Sequence, residues 1–390
     1  MHPGNNNDTN ETFMSFPASL AAEDQNRCFQ LMQEAVGVRR HFDLLMWLQG
    51  DMQRYLPHEI MVAAWGDFHL GLVYHDIVSA LPGVRTEHAS SETLNPLLKG
   101  LFERWVAFGK KFSDHMFLMD YTAGEGWHDA RIVPYGPWEM DPATTVFHYA
   151  QEIFEGMKAY RTADGKIQLF RPDCNANRFN DSADRLGMPP IPPEDFVQAV
   201  KALVDVDRDW VPHSDGASLY IRPFCIATDV GLGVHAAKHY RFAIICAPSG
   251  AYYAEGLDPV RIYVEDEYIR AAPGLTGFTK CGGNYAASIK AGELAEERGF
   301  SQVLWLDGVE KKYVEEVGSM NIMFKIDGEI YTAPCVGTVL PGVTRRSIIE
   351  LLKDWGYKVH EERVAIADIM KAADEGKLEE VFGTGTAAVV

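Results

Sequence analysis

The spacing of apolar residues changes several times along this chain, and the changes divide it. From Leu20 to Leu56 apolar residues recur at helical spacing. From Val62 to Leu81 they alternate, with Trp65-Gly66-Asp67 as turn material, so helices followed by strands are predicted. After the polar stretch 87–93 comes a helix capped by Asn95, with Pro96 at its first position and a stripe of Leu98, Leu101, Phe102, Trp105 and Val106. The pattern predicts a small α+β unit over residues 20–108, preceded by a disordered polar tail over 1–19.

Beyond Gly109 the texture differs. Asp164-Gly165 lies between Met157–Tyr160 and Ile167–Phe170, and Asp327-Gly328 lies between Ile322–Ile326 and Glu329–Thr332. Each reads as a hairpin signal. Ser218–Phe224 alternates like a strand, with Tyr220 and Arg222 on one face. Helices are predicted after Arg171-Pro172-Asp173, ending near Gly187, through Phe196, Val197, Val200, Leu203 and Val204, from Ile289 to Arg298, and from Thr344 to Trp355. Hairpins imply antiparallel sheet, and strands and helices without strict alternation predict an α+β fold rather than a doubly wound sheet.

Composition narrows the function. A chain of 390 residues, 47% hydrophobic and 23% charged, is globular and long enough for two or three domains. Its 36 Lys and Arg against 55 Asp and Glu give a net charge of -19, which opposes nucleic acid as the main partner. No apolar run approaches the ~20 residues of a membrane span and the start lacks a secretory signal, so a soluble, cytoplasmic protein is expected. The sequons at Asn7 and Asn10 then carry no weight. The six cysteines, Cys28, Cys174, Cys225, Cys246, Cys281 and Cys335, include no Cys-x-x-Cys pair, which predicts reduced, mostly buried thiols and no structural zinc.

The candidate chemistry centres on Lys280, set among small residues in Thr276-Gly277-Phe278-Thr279-Lys280-Cys281-Gly282-Gly283-Asn284-Tyr285 just before a helix. Flanking glycines admit a bound group close to the backbone, and a buried or cation-flanked lysine becomes the neutral amine that covalent catalysis needs. A solvated loop lysine is the competing interpretation. Two anion sites are also readable. Val339-Leu340-Pro341-Gly342-Val343-Thr344 runs into a helix start with free amides, and Arg178, near the start of another helix, can offer a planar phosphate contact. Gly383-Thr384-Gly385-Thr386-Ala387-Ala388 fits a dinucleotide fingerprint only formally, since no helix or later acidic residue follows it. His235 and His239 have the spacing of a metal pair but read better as loop histidines satisfied by neighbours. Tyr220 and Arg222 suit a carboxylate clamp as well as a cross-strand pair.

In order, Phe112–Phe117, His148-Tyr149, Phe154-Glu155-Gly156, Leu169–Pro172, Leu219–Pro223, Lys280–Tyr285, Glu316-Val317-Gly318 and Leu340–Val343 resemble the branched-chain amino acid aminotransferases, the fold-type IV enzymes that use pyridoxal 5′-phosphate. The resemblance implies a two-domain architecture with mixed and antiparallel sheets, divided at about residues 109–250 and 251–390. It implies that Lys280 carries the cofactor and shuttles a proton, that Glu316 pairs with the pyridine nitrogen, and that Tyr285 bonds the ring hydroxyl. Arg178, Val343, Thr344 and Thr386 would hold the phosphate. Tyr149, Phe154, Tyr220, Arg222, Ser319 and Ala387 would contact substrate, with Arg222 admitting the carboxylate of glutamate and with Tyr220 and Arg222 reaching across from the second subunit of a homodimer. The implied reaction moves the amino group of leucine, isoleucine or valine to 2-oxoglutarate. A D-amino acid transaminase and an aminodeoxychorismate lyase would share the Lys and Glu logic, and a catalytically silent regulatory fusion is the rival from another class.

Both ends depart from that pattern. The family implies a further strand and helix after Thr386-Ala387-Ala388-Val389-Val390, so the sequence reads as short at its carboxyl end. Residues 20–108, with Leu56-Pro57-His58-Glu59-Ile60, Ala64–Phe68 and Phe102–Val106, resemble instead the sensor half of LuxR-type regulators associated with exopolysaccharide operons. A composite chain accounts for both.

Overall fold

The structure, a computed structural model, describes residues 60–67, 72–79, 111–213, 216–250 and 259–386. The chain forms two compact units, Met1–Leu98 and Lys99–Val390. In the first, strands β1 (Ile60–Asp67) and β2 (Leu72–Ser79) pair antiparallel from Ile60↔Ser79 to Asp67↔Leu72. The ladder corrects one expectation: Trp65-Gly66-Asp67 is strand rather than turn, because all three stay in register with Leu72-Val73-Tyr74 and Gly66 still supplies its backbone groups to the ladder. The tail, the helices read over 20–56 and from Asn95, the polar stretch 87–93 and Cys28 lie outside the described residues.

The second unit contains two seven-stranded sheets. The first comprises β3 (His115–Thr122), β4 (Gly126–Pro134), β5 (Glu152–Phe154), β6 (Met157–Arg161), β7 (Ile167–Leu169), β8 (Ser218–Ala227) and β9 (His239–Ser249), in the order β4-β3-β9-β8-β6-β7 with β5 also on β8. Every pairing in it is antiparallel. Helix α1 (Val146–Tyr149) is a single turn; α2 (Pro172–Arg185) and α3 (Pro193–Val206) each begin with proline, whose fixed φ suits a first turn. Their apolar stripes, with Phe179, Phe196 and Leu203, bury against Ile221 and Phe242. Ring centroids of Phe179 stand 5.2 Å from Phe196 and 5.5 Å from Phe242. Alternation along β8 therefore turns Leu219 and Ile221 into this core and leaves Tyr220 and Arg222 on the other face.

The second sheet runs β10 (Ile262–Glu265), β11 (Gln302–Leu306), β12 (Val314–Val317), β13 (Met320–Ile326), β14 (Glu329–Thr332) and β15 (Val359–Glu361), with β16 (Leu378–Thr384) on β13. It is mixed, since β10/β11 and β14/β15 are parallel and the other pairs antiparallel. Helices α4 (Gly282–Ala286), α5 (Ile289–Glu297), α6 (Val343–Asp354) and α7 (Ile366–Asp374) accompany it. Both predicted hairpins are present, and in the second Asp327 and Gly328 take φ of 51° and 77°, the left-handed pair that a two-residue turn demands. Helix α4 is not legible in the pattern, because Gly282 and Gly283 are poor helix formers; the buried Asn284 anchors it by donating to the carbonyls of Thr276 and Thr279. Of the five described cysteines, Cys174, Cys225, Cys246 and Cys281 are buried and Cys335 is exposed.

Candidate active site

Elements of both sheets meet at a cleft of about 190 Å³, walled by β5, α2 and β8 on one side and by α4, β12, α6 and β16 on the other. Lys280 stands between them. Its N–H donates to Ser182 Oγ on α2 (3.0 Å) and its carbonyl accepts from Phe154 N on β5 (2.9 Å), so its backbone is held from both directions. Its Nζ lies 2.9 Å from the Tyr285 hydroxyl and 4.5 Å from the centre of the Phe154 ring. Burial, reinforced by Arg178 and Arg222 and opposed by Tyr220 and Glu155, lowers the amine to about 8. Burial likewise pushes the Tyr285 phenol up to about 12, which keeps it protonated.

Glu315 and Glu316 diverge as strand alternation requires. Glu315 accepts from Thr338 Oγ1 at 2.5 Å, whereas Glu316 lines the cleft. Glu316 Oε1 accepts from Asn321 Nδ2 and from Leu340 N, each at 3.0 Å, and Oε2 meets Arg270 Nε at 2.6 Å. Burial raises this carboxyl to about 6, against the pull of Arg270.

Arg178 lies in the middle of α2, not near its start. Its Nε and Nη2 donate to the two oxygens of the fully buried Glu155 at 2.7 and 2.9 Å, and Nη1 donates to Pro341 O at 3.2 Å. Two of the five guanidinium N–H groups remain for the cleft. Opposite, α6 starts at an extended Gly342 with no side-chain cap, which leaves the amides of Val343 and Thr344 without intrahelical acceptors. A Cβ on Gly342 would overlap Asn321 Oδ1, so the close approach requires glycine. Thr384 Oγ1, buried and without a hydrogen-bond partner among the described residues, lines the same cleft, as do Ser319 and Thr386. Ala387 lies outside the described residues.

The structure corrects one expectation about the substrate wall. Tyr220 and Arg222 do not reach across to another subunit's site; they line the cleft that holds their own Lys280. The cause is the strand pairing of β8 with β5 and β6, together with Gly156, where a Cβ would run into the Tyr220 hydroxyl. Arg222 Nη2 donates to that hydroxyl at 3.0 Å, and the guanidinium sits 4.5 Å above the Phe154 ring. Tyr149, by contrast, is absent from the cleft wall: it is 40% exposed at the end of α1, with its hydroxyl bonded to Leu232 O. His235, in a loop, and His239, the first residue of β9, both turn to Asp229, at 3.2 and 2.8 Å, and are satisfied there. Among the described residues no group of three His, Cys, Asp or Glu could hold a metal ion. Two important residues escape the sequence pattern, Glu155 and Arg270. The acid of Phe-Glu-Gly is visible as a charge ahead of a glycine, but its arginine partner is 23 positions away.

The assembled groups are a half-buried amine, a phenol, a carboxylate and a capless helix start with an arginine. They suit a flat polar ring with an anionic tail. The family model Amino-transferase class IV matches residues 152–390. Branched-chain-amino-acid aminotransferase 2 of Bacillus subtilis (strain 168) is 56% identical over 73% of this chain and 78% of its own. A branched-chain amino acid aminotransferase from T.th., solved with pyridoxamine 5′-phosphate, superposes with a TM-score of 0.57 at 30% identity, covering 69% of this chain and 82% of that one. The branched-chain aminotransferase of Thermoproteus uzoniensis shares the fold at a TM-score of 0.60 and 24% identity, over 71% and 84% of the two chains.

Proposed function

The chain belongs to the class IV amino-transferases, and from that premise we infer that it is a branched-chain-amino-acid aminotransferase. It exchanges an amino group between leucine, isoleucine or valine and 2-oxoglutarate, with pyridoxal 5′-phosphate as cofactor. The cofactor supplies an electron sink that loosens the Cα–H bond. Lys280 Nζ holds the cofactor and then moves the proton at the substrate Cα, a task suited to an amine lowered to about 8. Tyr285 orients the ring through its hydroxyl, and Glu316 keeps the ring nitrogen protonated. The free N–H groups of Arg178, the amides of Val343 and Thr344, and Thr386 take the phosphate; the orphaned Thr384 Oγ1 supports an anion there. Phe154 and Tyr220 face the apolar side chain, Ser319 lines the wall beside them, and Arg222 takes the second carboxylate of glutamate. A cleft that gathers these groups weighs against a silent scaffold.

We read the protein as a cytoplasmic homodimer. Phe147, Tyr149, Val230, Leu232 and Val234 are 40–81% exposed on two segments joined by the Gly231 N–Ala143 O and Tyr149–Leu232 hydrogen bonds. An apolar patch of this extent favours a protein interface, here with a second copy, so Tyr149 rather than Tyr220 or Arg222 is the residue that meets the partner. Among the described residues no helix is long and apolar enough to cross a membrane.

The observation that carries the reading is Lys280, held by backbone bonds from two elements with its half-buried amine in the cleft. Borohydride should fix cofactor to the wild-type protein but not to Lys280→Ala, whose transamination should fall by at least ~10²–10⁴. Wild-type turnover in the alanine variant would sink the assignment.

A further inference from the structure

We propose that Arg270 is a positioning residue that keeps Glu316 ionised and aimed at the cofactor ring, and thereby sets the protonation of the ring nitrogen. This rests on reading the cleft as a pyridoxal-phosphate site. Arg270 lies in the segment between β10 and Lys280, outside any helix or strand, and its side chain is 7% exposed against 2% for Glu316. The guanidinium is anchored at three points: Nε to Glu316 Oε2 at 2.6 Å, and Nη1 to the carbonyls of Thr338 at 2.9 Å and Gly277 at 3.3 Å. It therefore ties the carboxylate to the loop leading into Lys280 and to the loop leading into the α6 anion cup.

The hydrogen-bond count at Glu316 gives the geometry its meaning. A carboxylate has about four acceptor positions. Asn321 Nδ2, Leu340 N and Arg270 Nε fill three, which leaves one for a ring N–H from the cleft. That position serves only while the group is ionised. Burial favours the neutral acid, and a neutral acid would donate where it must accept. The charged or titratable groups that act on Glu316 are Arg270, Glu315, Lys280, Tyr285 and Cys335. Of these, Arg270 exerts the largest pull toward ionisation, Lys280 a smaller one, and Glu315 opposes both. Arginine suits the position because it stays charged and its planar fork reaches the carboxylate and two carbonyls at once.

The test uses the full-length holoenzyme and reads the pH midpoint of the bound cofactor's visible absorption alongside kcat and KM. Loss of a nearby cation raises neighbouring pKa values, so Arg270→Met should move the midpoint up by about one unit or more. Its kcat should fall more than about tenfold while KM changes less than about threefold, the pattern of a defect in the chemical step. Arg270→Lys, which restores charge, should bring the midpoint back to within about half a unit. In a Glu316→Gln background the Arg270→Met change should cost less than about twofold, because both residues act through one group. A cofactor-loaded Arg270→Met with wild-type midpoint and kcat overturns the inference, and so does an undiminished effect in the Glu316→Gln background. If Arg270→Met does not fold, Arg270→Lys decides: a near-wild-type midpoint supports the charge role and a displaced one in folded protein overturns it. A wild-type protein that takes up no cofactor would instead defeat the reading of the cleft itself.

Discussion

Two arginine–carboxylate pairs are buried in one cleft, Arg178–Glu155 and Arg270–Glu316, and they are set to opposite purposes. Glu155 receives four donors: Arg178 Nε and Nη2, Asn175 Nδ2 at 2.7 Å and Gly156 N at 3.1 Å. Burial alone would raise its pKa, but Arg178 and the hydrogen bonds outweigh burial and hold it below the usual carboxylate value. Glu316 receives three donors and a single arginine nitrogen, and burial wins, to about 6. In the first pair the Glu155 carboxylate is saturated and holds Arg178 in place. The second keeps one acceptor position open toward the cleft, which is what a group facing a cofactor ring needs, and relies on Arg270 against the burial that favours its neutral form. The lesson lies in counting donors rather than in naming ion pairs.

The largest effect expected from this comparison is on stability. Glu155→Ala leaves the Arg178 charge buried without its partner, a loss of about 3–5 kcal/mol. Glu316→Gln removes a charge but keeps an acceptor oxygen for Arg270 and should cost less. Urea unfolding of the cofactor-free full-length proteins measures both. If Glu316→Gln proves the more damaging, the division into a structural and a poised pair is wrong.

A second effect is the pH dependence of stability, and it has opposite sign at the two sites. Glu155 is lowered in the fold, so its contribution is present above the unfolded value of 4.5 and is lost as pH falls through the folded value. Glu316 is raised from 4.5 to about 6, so its contribution is complete below 4.5 and is lost as pH rises through about 6. A shift of that size is worth about 2 kcal/mol. Relative to Glu316→Gln, the cofactor-free wild type should therefore lose about 2 kcal/mol between about pH 4.5 and about 7. Parallel stability curves for the two proteins over that range would remove the case for a poised carboxyl.

Sequence alone exposes one side of this contrast better than the other. The alternation that separates Glu315 from Glu316, the hairpin forced by Asp327-Gly328 and the helix start after Gly342 are local rules, readable within a few residues. Arg270 reaches its carboxylate across 46 positions and Arg178 across 23, and such partnerships exist only once the sheets have formed. Helix α4 escapes for the same reason, since the carbonyls that Asn284 binds belong to a preceding loop. The different placement of Tyr149 and Tyr220 is a tertiary matter too: both are aromatic residues near strand signals, and the pairing of β8 with β5 and β6 puts Tyr220 in the cleft while Tyr149 stays at the surface.

The smallest effect expected is also the sharpest control. Glu315 is the immediate neighbour of Glu316, is equally acidic and is also mostly buried, yet it faces Thr338 across the strand from the cleft. Its pKa is raised chiefly by burial, and its second oxygen has no hydrogen-bond partner among the described residues, so it enters neither the cleft nor the Arg270 anchor. Glutamine in its place keeps the oxygen that accepts from Thr338 Oγ1 and removes a charge that opposes ionisation of Glu316. Glu315→Gln should change the rate of the chemical step less than about twofold, whereas Glu316→Gln, which loses the acceptor of the ring proton, should slow it by about 10–100-fold. Single-turnover absorbance changes with leucine measure that step free of product release. Equal losses in the two variants would mean that position along β12, rather than the face presented to the cleft, is what matters, and the distinction between the two carboxylates would fall with it.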